Sequence, residues 1–437
     1  MTLLRVKSDA LLSISVFSIL FAATYRDDAD LVSMGATGDF SDVAQSPFVG
    51  MLKAVAIYAF AIPILAVALG LIKKPQIGRV IGPLTSILSF LVVLLMLRLL
   101  PGAPDVSGKM LSTIGVLSLI VILAMCTAGA KRAKEANVVA IAIYKGVFAF
   151  AMMHSMVNAT LSLTGFGAHK SRFLGTSIHP NFIGVQMACC AVLMLGGLRG
   201  GFGRGLLALL GVTAALIALV AAGSRTGLVV FGTGFIVFWG VRGLKLWQAV
   251  LLALLTLALS FGVIVSGSSR FDVSMDQYDR GGADTRAEAW TTMWQAVNDS
   301  PLIGGGVYPQ ASESSYLRGW AAIGILYVLS YIAFLLAAVR AALLLPRRSD
   351  GSVQTIAFIG VIFALLSGGF FEGYLLDTLS FPIIVLISAT ISVDSLRLTT
   401  RKSRSRSRSR SRVRTEAGNG LRFPAEAEII TRRGAQL

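Results

Sequence analysis

Charge is scarce in this chain. Of 437 residues only 14 % are Asp, Glu, Lys or Arg, against 55 % hydrophobic ones and a mean hydropathy of +0.76. So little charge excludes the set of soluble domains that the length alone suggests. Cysteine is nearly missing too: Cys126, Cys189 and Cys190 all fall in apolar stretches, and the adjacent pair are poor partners for each other, so no disulfide framework is expected. The three histidines, His154, His169 and His179, form neither an H-x-x-x-H pair nor a Cys/His cluster, so no metal site is expected. The alternating polarity of membrane-spanning strands is lacking, and the first apolar stretch, residues 10–24, has no small-residue exit of a cleaved signal.

What is present is a series of apolar runs. About 20 residues at a rise of 1.5 Å cross the hydrocarbon core, and lipid leaves helices as the default because every backbone polar group must be satisfied internally. The runs predict spans near 9–24, 48–71, 80–99, 110–129, 137–157, 181–198, 205–222, 227–241, 247–267, 317–344, 353–371 and 375–395. The expected fold is therefore an all-α integral membrane protein of about twelve transmembrane helices, forming one membrane domain over residues 1–396.

Basic residues recur in every second connection: Lys73, Lys74 and Arg79; Lys131, Arg132 and Lys134; Arg199 and Arg204; Arg242 and Lys245; Arg347 and Arg348. The intervening short turns are poorer in Lys and Arg, and the first carries Asp27, Asp28, Asp30, Asp39 and Asp42. By the positive-inside rule both termini lie in the cytoplasm. The tail 397–437 holds 12 Lys/Arg against 3 acidic residues, about half of the net +17, mostly as a Ser-Arg run. It is low in complexity and expected to be disordered, either attracted to anionic headgroups or simply solvated on the side its charge dictates. Nucleic acid is not an expected partner of a tail tethered to a bilayer.

The unusual residues concentrate on the outer side, in two long loops near 158–180 and 268–316 and in the turn Ser224-Arg225-Thr226-Gly227 between them. In the first loop Pro180-Asn181 reads as a helix start, whereas Lys170 and Arg172 stand where the charge rule disfavours them, making Arg172 a candidate contact for an anionic substrate. Arg225 is isolated at the membrane boundary. It can snorkel to the headgroups or offer its guanidinium fork to phosphate oxygens. In the second loop, residues 284–298 read as an amphipathic helix with Arg286, Trp290, Met293 and Val297 on one face. Arg286 either pairs with Asp284 or Glu288 or joins the site. Gly304-Gly305-Gly306 lacks the Lys-Ser/Thr of a phosphate-binding loop and reads as a turn.

Taken in order, an R-x-x-G…PN helix entry, SRTG, TRAEAW…P-x-I-G-x-G and ES-x-Y-L-x-x-x-x-x-x-G resemble the O-antigen ligase and polymerase family of bacterial envelope glycosyltransferases over roughly residues 165–395. The resemblance implies a GT-C-like membrane glycosyltransferase whose large periplasmic loop closes over an undecaprenyl-diphosphate-linked glycan. It implies transfer to an acceptor hydroxyl without cofactor or metal, in the inner membrane, among other envelope polysaccharide assembly proteins. By motif match, Arg225 and Arg286 would hold the diphosphate, joined by Arg172. The ligase branch carries a His-Asn pair where this chain reads Ser312-Glu313-Ser314-Ser315-Tyr316-Leu317, which looks more like the polymerase branch. The expected activity is thus an inverting polymerase of lipid-linked repeats for O-antigen or exopolysaccharide. A ligase onto lipid A core and a flippase of lipid-linked glycans are the alternatives. A flippase should carry ionisable residues at mid-membrane in paired repeats, whereas the odd charges here lie in outer loops. Glu313 is the candidate general base, or else a residue that orients sugar hydroxyls or caps the following span. Glu372, His179 and Tyr316 are candidate glycan contacts.

Overall fold

The computed structural model describes residues 2–24, 82–99, 120, 133–165, 168–169, 172–177, 180–198, 201–242, 285–306, 314–344, 352–374 and 380–395. The expected spans 48–71 and 247–267, the span 110–129 apart from Ile120, and the tail 397–437 lie outside them. The helices are α1 (Thr2–Thr24), α2 (Pro83–Leu99), α3 (Ala133–Thr164), α4 (Pro180–Leu195), α5 (Phe202–Ala221), α6 (Arg225–Arg242), α7 (Thr285–Asp299), α8 (Ser315–Ile323), α9 (Ile325–Leu344), α10 (Ser352–Gly368) and α11 (Phe381–Ser395). A short antiparallel pairing, β1 (Ala168–His169) with β2 (Arg172–Phe173), is the one pair of strands among the described residues. Val138–Thr164, Phe202–Ala221 and Ile325–Leu344 are long and apolar enough to cross a membrane. Among the described residues six shorter apolar helices accompany them, as suits the helical bundle of a membrane protein.

Small residues set the closest helix crossings. A Cβ on Gly360 of α10 would lie 2.9 Å from the Gly234 carbonyl oxygen of α6, so these helices meet nearly backbone to backbone. Close approach is how helices associate where lipid removes the hydrophobic drive between them. Around that pair lie α4, buried along most of its length, and α5 and α3 beyond it. Contacts fix relative direction. Ser13 with Ala142 and Phe17 with Phe150 make α1 and α3 parallel. Tyr144 with Leu193 and His154 with Gln186 make α3 and α4 antiparallel.

The two ends of the bundle are built differently. At one end Asp394, buried near the close of α11, accepts hydrogen bonds from the Thr85 amide (2.8 Å) and hydroxyl (2.9 Å), capping α2 from 309 residues away. A Cβ on Gly82 would run into that carboxylate, so only glycine fits at the head of α2. At the other end the starts of α4, α6 and α8 gather beside the exit of α10.

One expectation is corrected. The single span 317–344 is two helices parted at Gly324, whose φ of +89° is the left-handed region that favours glycine. The crossing segment is α9 alone, and α8 belongs with the loop.

Candidate active site

Each of the three gathered helices starts with a residue suited to starting one. Pro180 heads α4 with φ preset and no amide to satisfy. Ser224 caps α6, its hydroxyl accepting from the Gly227 amide at 3.0 Å, and Ser314 caps α8 by accepting from the Leu317 amide at 3.4 Å. Glycines let the first two starts touch: a Cβ on Gly184 would meet the Ser224 side chain, and one on Gly227 would sit 2.8 Å from the Gly184 carbonyl carbon.

Glu372, just beyond α10 and 8 % exposed, ties all three together. Its Oε1 accepts from Asn181 Nδ2 at 2.6 Å and from Thr226 Oγ1 at 3.1 Å. Its main-chain carbonyl accepts from Ser315 Oγ at 2.6 Å and from the Ser315 amide at 3.2 Å. Helix N-termini carry partial positive charge, so three of them converging favour an anion there. The carboxylate occupies that position, and the short Asn181 contact is a charge-assisted one. Arg225 stands at the head of α6, exposed between buried Ser224 and Thr226. The turn is anchored on both sides and presents its arginine outward.

Tyr316 is committed to the scaffold: its hydroxyl donates to the Leu366 carbonyl at 2.6 Å while its ring lies against Phe370 and Tyr331. Tyr327 donates to the Ser315 carbonyl at 2.9 Å and Tyr374 to the Leu365 carbonyl at 3.0 Å. Burial holds the Tyr374 phenol well above its ordinary value, so it stays a neutral donor.

The large loop is joined to α8 through its main chain. The amides of Gly305 and Gly306 donate to the carbonyls of Ala321 and Ala322 at 2.8 and 2.9 Å, and the Ile325 amide donates to Leu302 at 3.2 Å. A Cβ on Gly304 or Gly324 would collide with the opposite backbone. The P-x-I-G-x-G pattern is thus a backbone clasp over the last turn of α8. Trp320 adds a bond from Nε1 to the Pro301 carbonyl at 2.9 Å and an edge contact with Trp294. On α7, Met293 and Val297 are buried as expected, whereas Trp290 is 38 % exposed and sits at the margin of that face.

Of the other expected site residues, Arg172 begins β2 and Arg286 lies in the first turn of α7. Glu313 and His179 lie outside the described residues. Sequence reasoning missed a second polar cluster inside the bundle, formed by His154, Asn158, Gln186 and Thr176. Its signal was His154 and Asn158 one helical turn apart in an otherwise apolar span.

These features define a membrane protein with ionisable groups braced at one end of a helical bundle. Residues 209–328 match the family model described as O-Antigen ligase, a segment containing Arg225, Arg286, Glu313 and Tyr316. Within that segment the likeness to the O-antigen ligase and polymerase family carried by SRTG, TRAEAW…P-x-I-G-x-G and ES-x-Y-L-x-x-x-x-x-x-G is shown, and the family's members are glycosyltransferase-like enzymes. The match does not separate polymerase from ligase. No curated protein matches the chain.

Proposed function

We propose that this protein polymerises oligosaccharide repeats carried on undecaprenyl diphosphate, by inverting transfer, at the outer face of the bacterial inner membrane. The observation that carries the reading is the SRTG turn: an exposed arginine on a rigid helix start, braced by Glu372, within the segment that matches the family. In the reaction an acceptor sugar hydroxyl attacks the anomeric carbon and the bond from that carbon to the diphosphate oxygen breaks. The hydroxyl proton passes to the Glu313 carboxylate, and the diphosphate remains on its lipid. Arg225, Arg286 and Arg172 neutralise the charge growing on the leaving group, which raises the rate because those contacts strengthen towards the transition state. No metal is required. Both termini lie in the cytoplasm on this reading, with the Ser-Arg tail against anionic headgroups.

Glu313-Ser314, in place of a His-Asn pair, favours polymerase over ligase. The test is the envelope glycan of a deletion strain, read beside the same strain complemented with the wild-type gene. Single repeats on the lipid core are expected. Full-length glycan stranded on its carrier would instead identify a ligase, and an absence of any extracytoplasmic glycan would point to a flippase.

A further inference from the structure

The polar cluster inside the bundle has no part in the chemistry above, yet it costs the fold something to keep. An amide at membrane depth is unfavourable unless every donor and acceptor is met. Asn158, fully buried in α3, meets them largely with one short segment. Its Nδ2 donates to the His154 carbonyl at 2.8 Å and to Thr176 Oγ1 at 3.1 Å. Its Oδ1 accepts from the Thr176 amide at 3.0 Å and from the Thr176 hydroxyl at 3.2 Å. The side chain therefore replaces a strand partner for the turn that follows β2.

That turn is shaped to be held so. Phe173 and Leu174 are buried, and the Ser177 amide closes the turn on the Leu174 carbonyl at 2.9 Å. Gly175 has φ +55°, and a Cβ there would strike Asn158 Oδ1 and the Phe173 ring. Asn158 is itself oriented from behind. Its Nδ2 lies 3.2 Å from His154 Nδ1, and the acceptor Gln186 Oε1, 3.0 Å from Nε2, makes Nε2 the protonated nitrogen of the ring. The imidazole is stacked on Phe150 and cannot turn freely. Gln186 is on α4, the helix whose Asn181 holds Glu372. The segment 172–177 and the SRTG turn are thus both referenced to α4.

We propose that Asn158 is a positioning residue: it fixes the segment 172–177 so that Arg172 meets the donor diphosphate alongside Arg225. Packing of Phe173 alone seats the strand; the amide of Asn158 adds a fixed rotation of the turn relative to α3. The inference rests on the diphosphate role proposed for Arg172.

The experiment is a double-mutant cycle on the full-length protein in detergent, reading the affinity for undecaprenyl diphosphate. Arg172→Ala and Asn158→Ala should each weaken binding about tenfold, and the double variant should be no weaker than Arg172→Ala within about twofold, because residues acting through one contact are not additive. Thr176→Val, which removes one hydroxyl from a half-buried turn, should act in the same direction and serves if Asn158→Ala does not accumulate. Additive losses would make Asn158 merely structural and overturn the proposal. So would unchanged affinity in Asn158→Ala or Thr176→Val beside a weakened Arg172→Ala. Unchanged affinity in Arg172→Ala itself would instead remove the diphosphate role on which the inference rests.

Discussion

Replacing Glu372 distinguishes a brace from a substrate contact. Glu372→Ala removes the carboxylate oxygen that accepts from both the Asn181 amide and the Thr226 hydroxyl. Each hydrogen bond to a charged group contributes about 1.5–3 kcal/mol, so the loss is about 3–6 kcal/mol before any cavity is counted. That is a large part of the ~5–15 kcal/mol that holds a typical fold. Glu372→Gln keeps an acceptor oxygen for both donors and removes only the charge. Charge-assisted bonds are about twice as strong as neutral ones, and the starts of α4 and α6 lose their anion, so about 1–2 kcal/mol is lost. The main-chain bonds from Ser315 survive in both variants. With about 2–4 °C per kcal/mol for a domain of 150–250 residues and less for a larger one, Glu372→Gln should lower the melting temperature by a few degrees. Glu372→Ala should fail to accumulate. Polymerisation per folded molecule of Glu372→Gln should stay within about threefold of wild type, since neutralising a brace leaves the reacting groups in place. The assay is melting of detergent-purified protein beside turnover of lipid-linked repeats. Wild-type melting of Glu372→Ala refutes the brace; a 100-fold loss of turnover in a Glu372→Gln protein that melts normally places the carboxylate on the substrate.

Four further outcomes are expected. Arg225→Lys keeps a charge that can snorkel but loses the planar fork, so it should insert normally yet lose about 100- to 1000-fold in rate, by analogy with an oxyanion-hole donor; near-normal glycan chains at matched protein level would leave the turn as plain topology. Gly324→Ala forces a Cβ into the Leu302 carbonyl at a left-handed position and should cost at least ~1–3 kcal/mol, read as a lower melting temperature. A periplasm-dependent reporter fused after Pro309 should be active and one after Arg401 silent; the reverse would turn every site residue to the cytoplasm. Turnover should persist in excess chelator, and loss restored by magnesium or manganese would show a carboxylate-bound ion at work.

Local chemistry was legible in the sequence. Pro180-Asn181, the SRTG turn and the period of residues 284–298 each signal a helix start or face within a few residues, and the structure places helices there. The break at Gly324 was not legible, because Ala321 to Tyr327 reads as one apolar run. What parts it is the backbone of Leu302 to Gly306 lying across it, which hydropathy does not record. Glu372 ranked low in the sequence because its partners stand 191 and 146 positions away. His154 and Asn158, one turn apart, were the only sign of the inner cluster, because Thr176 and Gln186 are reached only when α3 and α4 lie side by side.

The capping of α2 by Asp394 has a consequence for biosynthesis. Helices enter the bilayer in the order in which the ribosome supplies them, and α2 comes early while its cap arrives with α11. Until then the amide and hydroxyl of Thr85 have to be satisfied by water or headgroups at the membrane boundary. The nascent chain therefore carries an open position for most of its synthesis, and docking of α11 is what closes it. A ribosome that stops short of Asp394 releases a chain in which α2 lacks both of these bonds.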